Sequence, residues 1–257
     1  MKTGIMKTLR KIPFLGRGLD FLFRVGHGFL QNRRDFYETS AEPYGLMSDP
    51  DSRKDFYLTF ENIFRGAEAE ISERQQIYLK YVKLGSLKPF LDLGCGRGEF
   101  LRLLNKKGIV SKGLEINKVE FEKLSSQGLD VILGDALSCL ADSPDDSYSG
   151  ISAFQLVEHL AFKDFERLLG LAFKKMEVGS PIIIETVNPK CSLALANFYL
   201  DPTHVRPYPC ELVKFLMEWN GFSDIRYVFS SKCPYPFRVN GFSAHNFMDY
   251  AVIGWKR

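Results

Sequence analysis

From residue 85 onward, short apolar runs alternate with segments whose apolar residues recur every three or four positions. Such runs indicate buried strands, and the intervening spacing indicates helices. Because parallel strands need a helical crossover between them, the pattern predicts an α/β protein with a doubly wound, mostly parallel sheet. The predicted strands lie in "KPFLDLG", "SKGLEIN", "LDVILGD", "GISAFQLVEHL", "SPIIIETVNP", "SDIRYVFS" and "NFMDYAVIGWKR", and the predicted helices span 99–107, 117–127, 163–176 and 209–220.

The region before the first strand divides into two parts. Residues 55–82 carry apolar and aromatic residues at helical spacing, which predicts two helices broken near Arg65. The sequence therefore predicts a basic amphipathic segment over 1–54 and one domain over 55–257, composed of helices within 55–84 and a core over 85–257. A long Pro-containing segment near the end, "CPYPFRVNGFSAHN", is expected to form the rim of a ligand pocket.

The stretch "FLDLGCGRGEF" joins the first strand to the first core helix and carries glycine at positions 94, 96 and 98. Ligands of open α/β sheets bind beyond the carboxyl ends of the strands, and the N–H groups that open a helix face such a ligand. Glu99 stands where a dinucleotide fingerprint needs glycine, and no P-loop lysine follows. Asp92 and Glu99 beside the loop favour a cationic ligand over a pyrophosphate.

S-adenosylmethionine meets this requirement because it carries a sulfonium, an ammonium group and no phosphate. Glu115 closes the second strand 23 residues after Asp92, where a carboxylate accepts from both ribose hydroxyls. Asp135 closes the third strand and is a candidate acceptor for the adenine amino group. Each acid alone is also an ordinary turn residue, but the ordered set of three with the glycines predicts one adenosyl site.

The distribution of charge and the cysteine content indicate where in the cell the protein is expected to act. Residues 1–34 hold eight Lys/Arg and one Asp, a net +7, whereas the remainder holds 26 basic and 30 acidic residues, a net −4. This basic, apolar segment could lie on an anionic membrane surface; the alternatives are a helix that packs on its own domain or on a partner, and a frayed terminus. Five scattered cysteines suggest neither a disulfide framework nor a zinc knuckle and favour a reducing, cytoplasmic compartment.

The motifs "LDLGCGRGEFL", "KGLEIN", "GDAL", "ISAFQLVEHL" and "IIIETVNP" resemble, in order and spacing, those of class I S-adenosylmethionine-dependent methyltransferases. The resemblance implies a Rossmann-like, seven-stranded sheet with an antiparallel last strand, and S-adenosylmethionine as cofactor. In that family the glycine loop holds the methionine end, and we expect Arg65 to bind the cofactor carboxylate. The other cofactor-binding residues implied are Asp92, Gly94, Cys95, Gly96, Glu99, Phe100, Glu115, Ile116, Asp135, Ala136, Leu137, Phe154, Gln155 and Leu156.

A narrower likeness covers roughly 55–225. "FRGAEAEISERQQIYL" and "NFYLDPTHVRPYPCELVKFLMEWNGF" resemble bacterial methyltransferases of surface-polysaccharide (O-antigen) synthesis. The implied acceptor is a sugar hydroxyl or terminal phosphate of a surface glycan or its lipid-linked precursor, near the inner face of the membrane or in a glycosyltransferase complex. Small-molecule or RNA 2′-O-methylation, or a non-catalytic scaffold, remain alternatives. DNA is not expected, because the [DN]-P-P-[YF] motif is missing after the fourth strand and the body is acidic.

Candidate catalytic groups follow the fourth and fifth strands. An oxygen acceptor needs a base if it is a hydroxyl and cationic groups if it is a phosphate. Glu158 and His159 lie after the fourth strand, and Tyr199, His204 and Arg206 after the fifth. Glu158, His159 and His204 resemble the metal-binding pattern of some O-methyltransferases, but Gln155 replaces the further glutamate of that pattern. The sequence therefore predicts no metal.

Overall fold

The seven strands form one sheet in a computed structural model that describes residues 41, 44, 56–234, 241 and 243–257. The strand order is β3-β2-β1-β4-β5-β7-β6; β7 runs antiparallel to both its neighbours, and the other pairs are parallel. The predicted fold class is confirmed. The strands are β1 (Phe90–Leu93), β2 (Ser111–Glu115), β3 (Val131–Leu133), β4 (Gly150–Phe154), β5 (Pro181–Val187), β6 (Ser223–Lys232) and β7 (Phe247–Trp255).

The backbone divides into two compact units, residues 1–71 and 72–257. In the first, α1 (Phe56–Phe64) ends at the break predicted near Arg65, and α2 (Glu68–Gln75) begins just after it and runs into the second unit. Apart from residues 41 and 44, the predicted basic segment 1–54 lies outside the described residues, as does much of the predicted pocket rim. In the part of the chain that the structure describes, no helix is long and apolar enough to cross a membrane.

The helices of the second unit alternate with the strands. Two helices of seven residues each, α5 and α7, were not predicted, because seven residues hold too few turns to show a clear apolar period. The helices are α3 (Glu99–Lys106), α4 (Lys118–Ser126), α5 (Ala136–Asp142), α6 (Phe162–Lys175), α7 (Ser192–Phe198) and α8 (Cys210–Trp219), with 3₁₀ turns at Gln76–Tyr81, Val157–His159 and Ala244–Asn246.

Both faces of the central strands are buried, which is why they read as continuous apolar runs. In β5, Ile182 and Ile184 belong to one core cluster and Ile183 to another on the opposite face, and all three are fully buried. Each such side chain contributes about 1.5–3 kcal/mol through burial. The chain returns from β3 to the far side of β1 through β4. This reversal creates a crevice at the carboxyl ends of β1 and β4.

Two glycines at the ends of α3 allow a matched test of how closely side chains pack around the glycine loop. Gly98 and Gly108 both adopt left-handed φ angles, of 77° and 70°. A Cβ on Gly98 would lie 2.8 Å from Leu124 Cδ2, whereas one on Gly108 would meet nothing within 4 Å. We expect Gly98→Ala to lower the free energy of unfolding by about 2–4 kcal/mol, and Gly108→Ala by about 1–2 kcal/mol for the backbone alone. Urea unfolding measures both, and equal losses would contradict the close packing of Gly98.

Candidate active site

The glycine loop between β1 and α3 turns three times through the left-handed region. The φ angles are 63° at Gly94, 52° at Gly96 and 77° at Gly98, which glycine adopts without steric cost. A Cβ on Gly94 would lie 3.1 Å from Leu156 Cδ1, so the loop lies directly against the segment after β4. The predicted residues Gly94, Gly96 and Leu156 are therefore brought together at the crevice.

Glu115 ties this loop to the end of β2. Its Oε2 accepts a hydrogen bond from the Gly96 backbone N–H at 2.8 Å, and its Oε1 accepts from the Asn117 N–H at 2.9 Å. The side chain is buried, so its charge acts in a poorly screened environment. A carboxylate has about four acceptor positions, so each oxygen has the capacity to accept from a ribose hydroxyl as well. The predicted role of Glu115 fits this geometry.

Asp92 and Cys95 line the other side of the loop. Asp92 is buried, and its Oδ1 accepts a hydrogen bond from the Ser152 hydroxyl at 2.6 Å, which joins β1 to β4. The Cys95 backbone N–H donates to the Leu114 carbonyl oxygen at 2.9 Å. Burial, together with the nearby Asp92 and Glu115 carboxylates, raises the pKa of the Cys95 thiol. This sulfur is therefore protonated at neutral pH.

Two of the predicted acids have partners in the protein. Glu99 is buried, and its Oε1 lies 3.1 Å from Arg97 Nε in an ion pair. The charge of Glu99, which the sequence analysis took to favour a cationic ligand, is therefore balanced by Arg97. Asp135 caps α5, and its Oδ1 accepts from the Ser138 N–H at 2.9 Å and from the Ser138 hydroxyl at 3.0 Å. An adenine amino group would share Asp135 with that cap.

The apolar residues predicted to touch the cofactor fall into two groups. The side chains of Phe100 and Phe154 are core residues, with ring centroids 4.8 Å apart and less than a tenth of each side chain exposed. In contrast, Ile116 is 72% exposed after β2, and Ala136 and Leu137 are half-buried at the start of α5. The second group has apolar surface available for an adenine ring.

Gln155 adopts a φ of 51°, which is uncommon for a residue with a side chain, and is fixed there by a buried acidic network. Its backbone N–H donates to the Glu185 carbonyl oxygen at 2.9 Å, and its amide donates to Glu185 Oε1 at 3.4 Å and to Asp249 Oδ1 at 3.3 Å. Tyr78 donates its hydroxyl hydrogen bond to Glu185, and Arg74 lies 3.5 Å from Asp249. Sequence analysis missed this network, because its members come from distant segments.

The network makes stability depend on pH. Burial, with Asp249 beside it, raises the pKa of Glu185 from an ordinary 4.5 to about 7. Between these values the unfolded chain has released a proton that the folded chain retains, so stability falls as the pH rises through this window. We expect Glu185→Gln to remove part of that fall, measured as the unfolding midpoint against pH. The exposed control Glu122→Gln should follow the unmodified chain, and a Glu185→Gln profile with an unchanged slope would contradict the assignment.

The Glu158 side chain lies within the protein interior, and its catalytic role stays a prediction. Its side chain is fully buried, and burial raises its pKa to about 8. This carboxyl group is therefore largely protonated at neutral pH. Its backbone carbonyl oxygen has a structural role, because it accepts hydrogen bonds from the Val205 N–H at 2.8 Å and the Arg206 N–H at 3.3 Å. These bonds tie the segment after α7 to the turn after β4.

His159 and His204 lie next to each other where these two segments meet, although 45 positions separate them in the chain. Their ring centroids are 4.6 Å apart, with the planes inclined at 62°. His159 Nδ1 lies 2.9 Å from the Thr203 hydroxyl, and His204 Nδ1 lies 2.6 Å from the Phe198 carbonyl oxygen. Burial, and secondarily His204, lowers the pKa of His159 to about 4, so the ring is neutral at neutral pH.

Asp201 joins the two histidines and was missed by the sequence analysis, which singled out only its neighbours in "LDPTHVRP". Its Oδ2 lies 3.8 Å from His204 Nε2, and its Oδ1 accepts from the Thr203 N–H and hydroxyl at 2.8 and 2.6 Å. The signal available in the sequence was an acid three positions before a histidine. We call His159, Asp201 and His204 the histidine–aspartate cluster.

The remaining predicted catalytic residues, Tyr199 and Arg206, lie on the same segment of the chain as Asp201 and His204 and are exposed. Tyr199 is 74% exposed directly after α7. Arg206 is also exposed, and its guanidinium carbon lies 5.0 Å from the centre of the Tyr208 ring and 5.8 Å from that of Phe162. This aromatic contact holds a cation in place while leaving it open to an anionic ligand.

Arg65 belongs to the first compact unit, where its guanidinium lies 3.6 Å from Glu61 one helical turn earlier. Its role as a partner of the cofactor carboxylate stays a prediction.

Comparison with known proteins assigns the fold to a family. A family model described as a methyltransferase domain matches residues 65–227, more than half of the chain. A search of curated proteins found no significant match. Among solved structures, a SAM-dependent methyltransferase from Archaeoglobus fulgidus is 33% identical, with 79% of this chain and 100% of that chain covered and a TM-score of 0.72.

Two more distant neighbours show the same fold. Phosphoethanolamine N-methyltransferase 2 of Haemonchus contortus, in complex with phosphomonomethylethanolamine and S-adenosylhomocysteine, is 13% identical over 72% of this chain and 52% of that chain, with a TM-score of 0.55. Geranyl diphosphate C-methyltransferase of Streptomyces coelicolor A3(2), in complex with Mg²⁺, geranyl diphosphate and S-adenosylhomocysteine, is 10% identical over 91% and 97%, with a TM-score of 0.57. Their acceptors differ widely, so the fold alone does not define an acceptor.

Proposed function

The chain belongs to the methyltransferase-domain family and is an S-adenosylmethionine-dependent methyltransferase; from this premise we propose that it methylates an oxygen atom, on a sugar hydroxyl or terminal phosphate of a bacterial surface glycan or its lipid-linked precursor. The observation that carries this proposal is the histidine–aspartate cluster beside Arg206. Its members follow β4 and β5, whose carboxyl ends border the crevice, and Leu156 in the same segment contacts the glycine loop.

Methyl transfer needs little chemistry from the protein beyond alignment, because the thioether leaves as a neutral group. The acceptor oxygen determines the rest. A sugar hydroxyl must lose its proton, and the histidine–aspartate cluster offers groups that accept or direct it. A terminal phosphate is already anionic, and Arg206 on its aromatic support provides a matching cation. The exposed ring of Tyr199 adds a flat surface on which a sugar face can pack.

The likeness of "NFYLDPTHVRPYP" to surface-polysaccharide methyltransferases supports the glycan as substrate, because this segment contains Asp201, His204 and Arg206. The net +7 of residues 1–34 supports a site of action near anionic lipid or a membrane-bound glycosyltransferase. Both points are part of the proposal.

The test is transfer of a labelled methyl group from S-adenosylmethionine to fractionated cell-envelope glycolipids, with RNA and small-molecule fractions in parallel. We expect label in the glycolipid fraction. Phosphorus–proton correlation then separates a methyl phosphate ester from a sugar methyl ether. Label confined to RNA or to small molecules would overturn the glycan assignment, and Glu115→Ala provides the inactive control.

A further inference from the structure

We propose that His159, Asp201 and His204 form a binding site for a divalent transition-metal cation. Each residue offers one ligand atom, and the three atoms all lie within 4.8 Å of one another. Ligand atoms around a tetrahedral metal with bonds of about 2.0–2.2 Å lie about 3.4 Å apart, so side-chain rotations that shorten these separations by up to about 1.4 Å complete the site. The binding inference stands independently of the acceptor; only a catalytic role for the metal rests on the proposed function.

The hydrogen bond made by His204 Nδ1 leaves its Nε2 as the nitrogen that can bind a metal. Its Nδ1 lies 2.6 Å from the Phe198 carbonyl oxygen, which only accepts, so Nδ1 carries the proton and Nε2 the lone pair. The ring also stacks on the Phe198 side chain, with centroids 4.5 Å apart. Nε2 is the atom that lies 3.8 Å from Asp201 Oδ2. A backbone carbonyl on the far ring nitrogen is a common way to orient a metal-binding histidine.

Thr203 fixes the tautomer of His159 in the same way. The Thr203 hydroxyl lies 2.6 Å from Asp201 Oδ1, and a carboxylate accepts, so the hydroxyl donates its proton there. The hydroxyl oxygen must then accept from His159 Nδ1–H at 2.9 Å. The lone pair of His159 is therefore on Nε2, as in His204. One hydroxyl thus orients both a histidine and the aspartate of the site.

The chemistry of this donor set selects the class of metal. Two imidazole nitrogens and one carboxylate oxygen suit Zn²⁺, Co²⁺, Mn²⁺ or Fe²⁺, whereas Mg²⁺ and Ca²⁺ prefer oxygen ligands alone. Three protein ligands also leave coordination positions for water or an acceptor oxygen, whose pKa a bound metal would lower.

This ligand set differs from the one weighed in the sequence. Glu158 is fully buried, and the Gln155 amide is engaged by Glu185 and Asp249, so neither enters the proposed site. Asp201 supplies the carboxylate instead. The expectation of no metal rested on Gln155, which is not one of the ligands proposed.

The test is a Co²⁺ titration of the full chain without a histidine tag, followed by visible absorption and by metal content after gel filtration. We expect about one equivalent bound, with no thiolate-to-cobalt charge-transfer band, and competition by Zn²⁺ but not by Mg²⁺. His159→Gln, Asp201→Asn and His204→Gln should each lose the bound equivalent, whereas the exposed His245→Gln should keep it. Equal Co²⁺ binding by all four variants, or none by the unmodified chain, would overturn the site.

His204 packs on Phe198, so its loss has a structural cost; Thr203, which is exposed, offers a separate test of the same arrangement. We expect Thr203→Val to weaken Co²⁺ binding by about 10–100-fold, the usual effect of losing an outer partner, and Thr203→Ser to restore it. Unchanged affinity in Thr203→Val would contradict the orienting role.

The proposed metal site and the proposed acceptor can be rejected independently of each other. Co²⁺ binding with the expected variant pattern, but no transfer to glycolipid, would retain the site and reject the proposed function. Full glycolipid transfer by a chain stripped of metal with chelator would retain the function and reject a catalytic role for the cation.

Discussion

Replacing Glu115 by alanine should weaken binding of S-adenosylmethionine by about 100-fold or more, as measured by calorimetry. The carboxylate accepts from the Gly96 and Asn117 N–H groups, and its removal leaves both without that acceptor while also removing the partner expected for the ribose. A hydrogen bond to a charged group contributes about 1.5–3 kcal/mol, and each 1.4 kcal/mol is a factor of ten in affinity.

The exposed Glu122 on α4 provides the matched control, since Glu122→Ala makes the same change of charge close by in the chain. It should keep the affinity of the unmodified chain. Glu115→Gln, which retains one acceptor oxygen, should fall between the two. If Glu115→Ala bound the cofactor at full strength, the adenosyl group would have to lie elsewhere.

The second large effect is expected at His159, where alanine should lower turnover by about 100-fold or more, with little change in cofactor affinity. In the chain without bound metal His159 is the candidate proton acceptor, and general acid–base catalysis typically contributes about 10²–10⁴-fold. The ring contacts described above are with Thr203 and His204, which follow β5, so its loss should leave the glycine loop and Glu115 in place. Single-turnover transfer to the glycolipid acceptor gives the rate, and calorimetry gives the affinity.

Glu122→Ala again provides the control, because Glu122 is exposed on α4 and lies outside both the histidine–aspartate cluster and the predicted pocket rim. It should leave both quantities unchanged. Full turnover by His159→Ala would remove this ring from the chemistry, and a parallel loss of cofactor affinity would assign it to the architecture of the crevice.

Much of the fold and part of the site follow from local signals in the chain. The alternating apolar runs predicted the core strands, because a strand buried on both faces requires apolar residues throughout. The glycine loop and Glu115 were predictable because the constraint acts within a short segment: left-handed turns require glycine, and a carboxylate closes the adjoining strand.

What sequence analysis missed depends on contacts between distant segments. Phe100 and Phe154 were predicted to bind the cofactor from their place in the motifs; that role stays a prediction, and what the motifs did not indicate is that both side chains are buried in the core. Glu99 read as an available acid because its ion pair with Arg97 depends on loop geometry. Asp201 gains significance only through His159, 42 positions earlier in the chain, which no spacing rule connects.

The protonated state of Cys95 limits the reaction of this residue with the methyl donor that the protein binds. A methyl sulfonium alkylates thiolates readily, and this cysteine lies within the loop expected to hold that sulfonium. Thiolate, not thiol, is the nucleophilic form of cysteine. Burial and the surrounding carboxylates keep the proton on sulfur, so the same negative field that would attract the cofactor also suppresses self-alkylation of the chain.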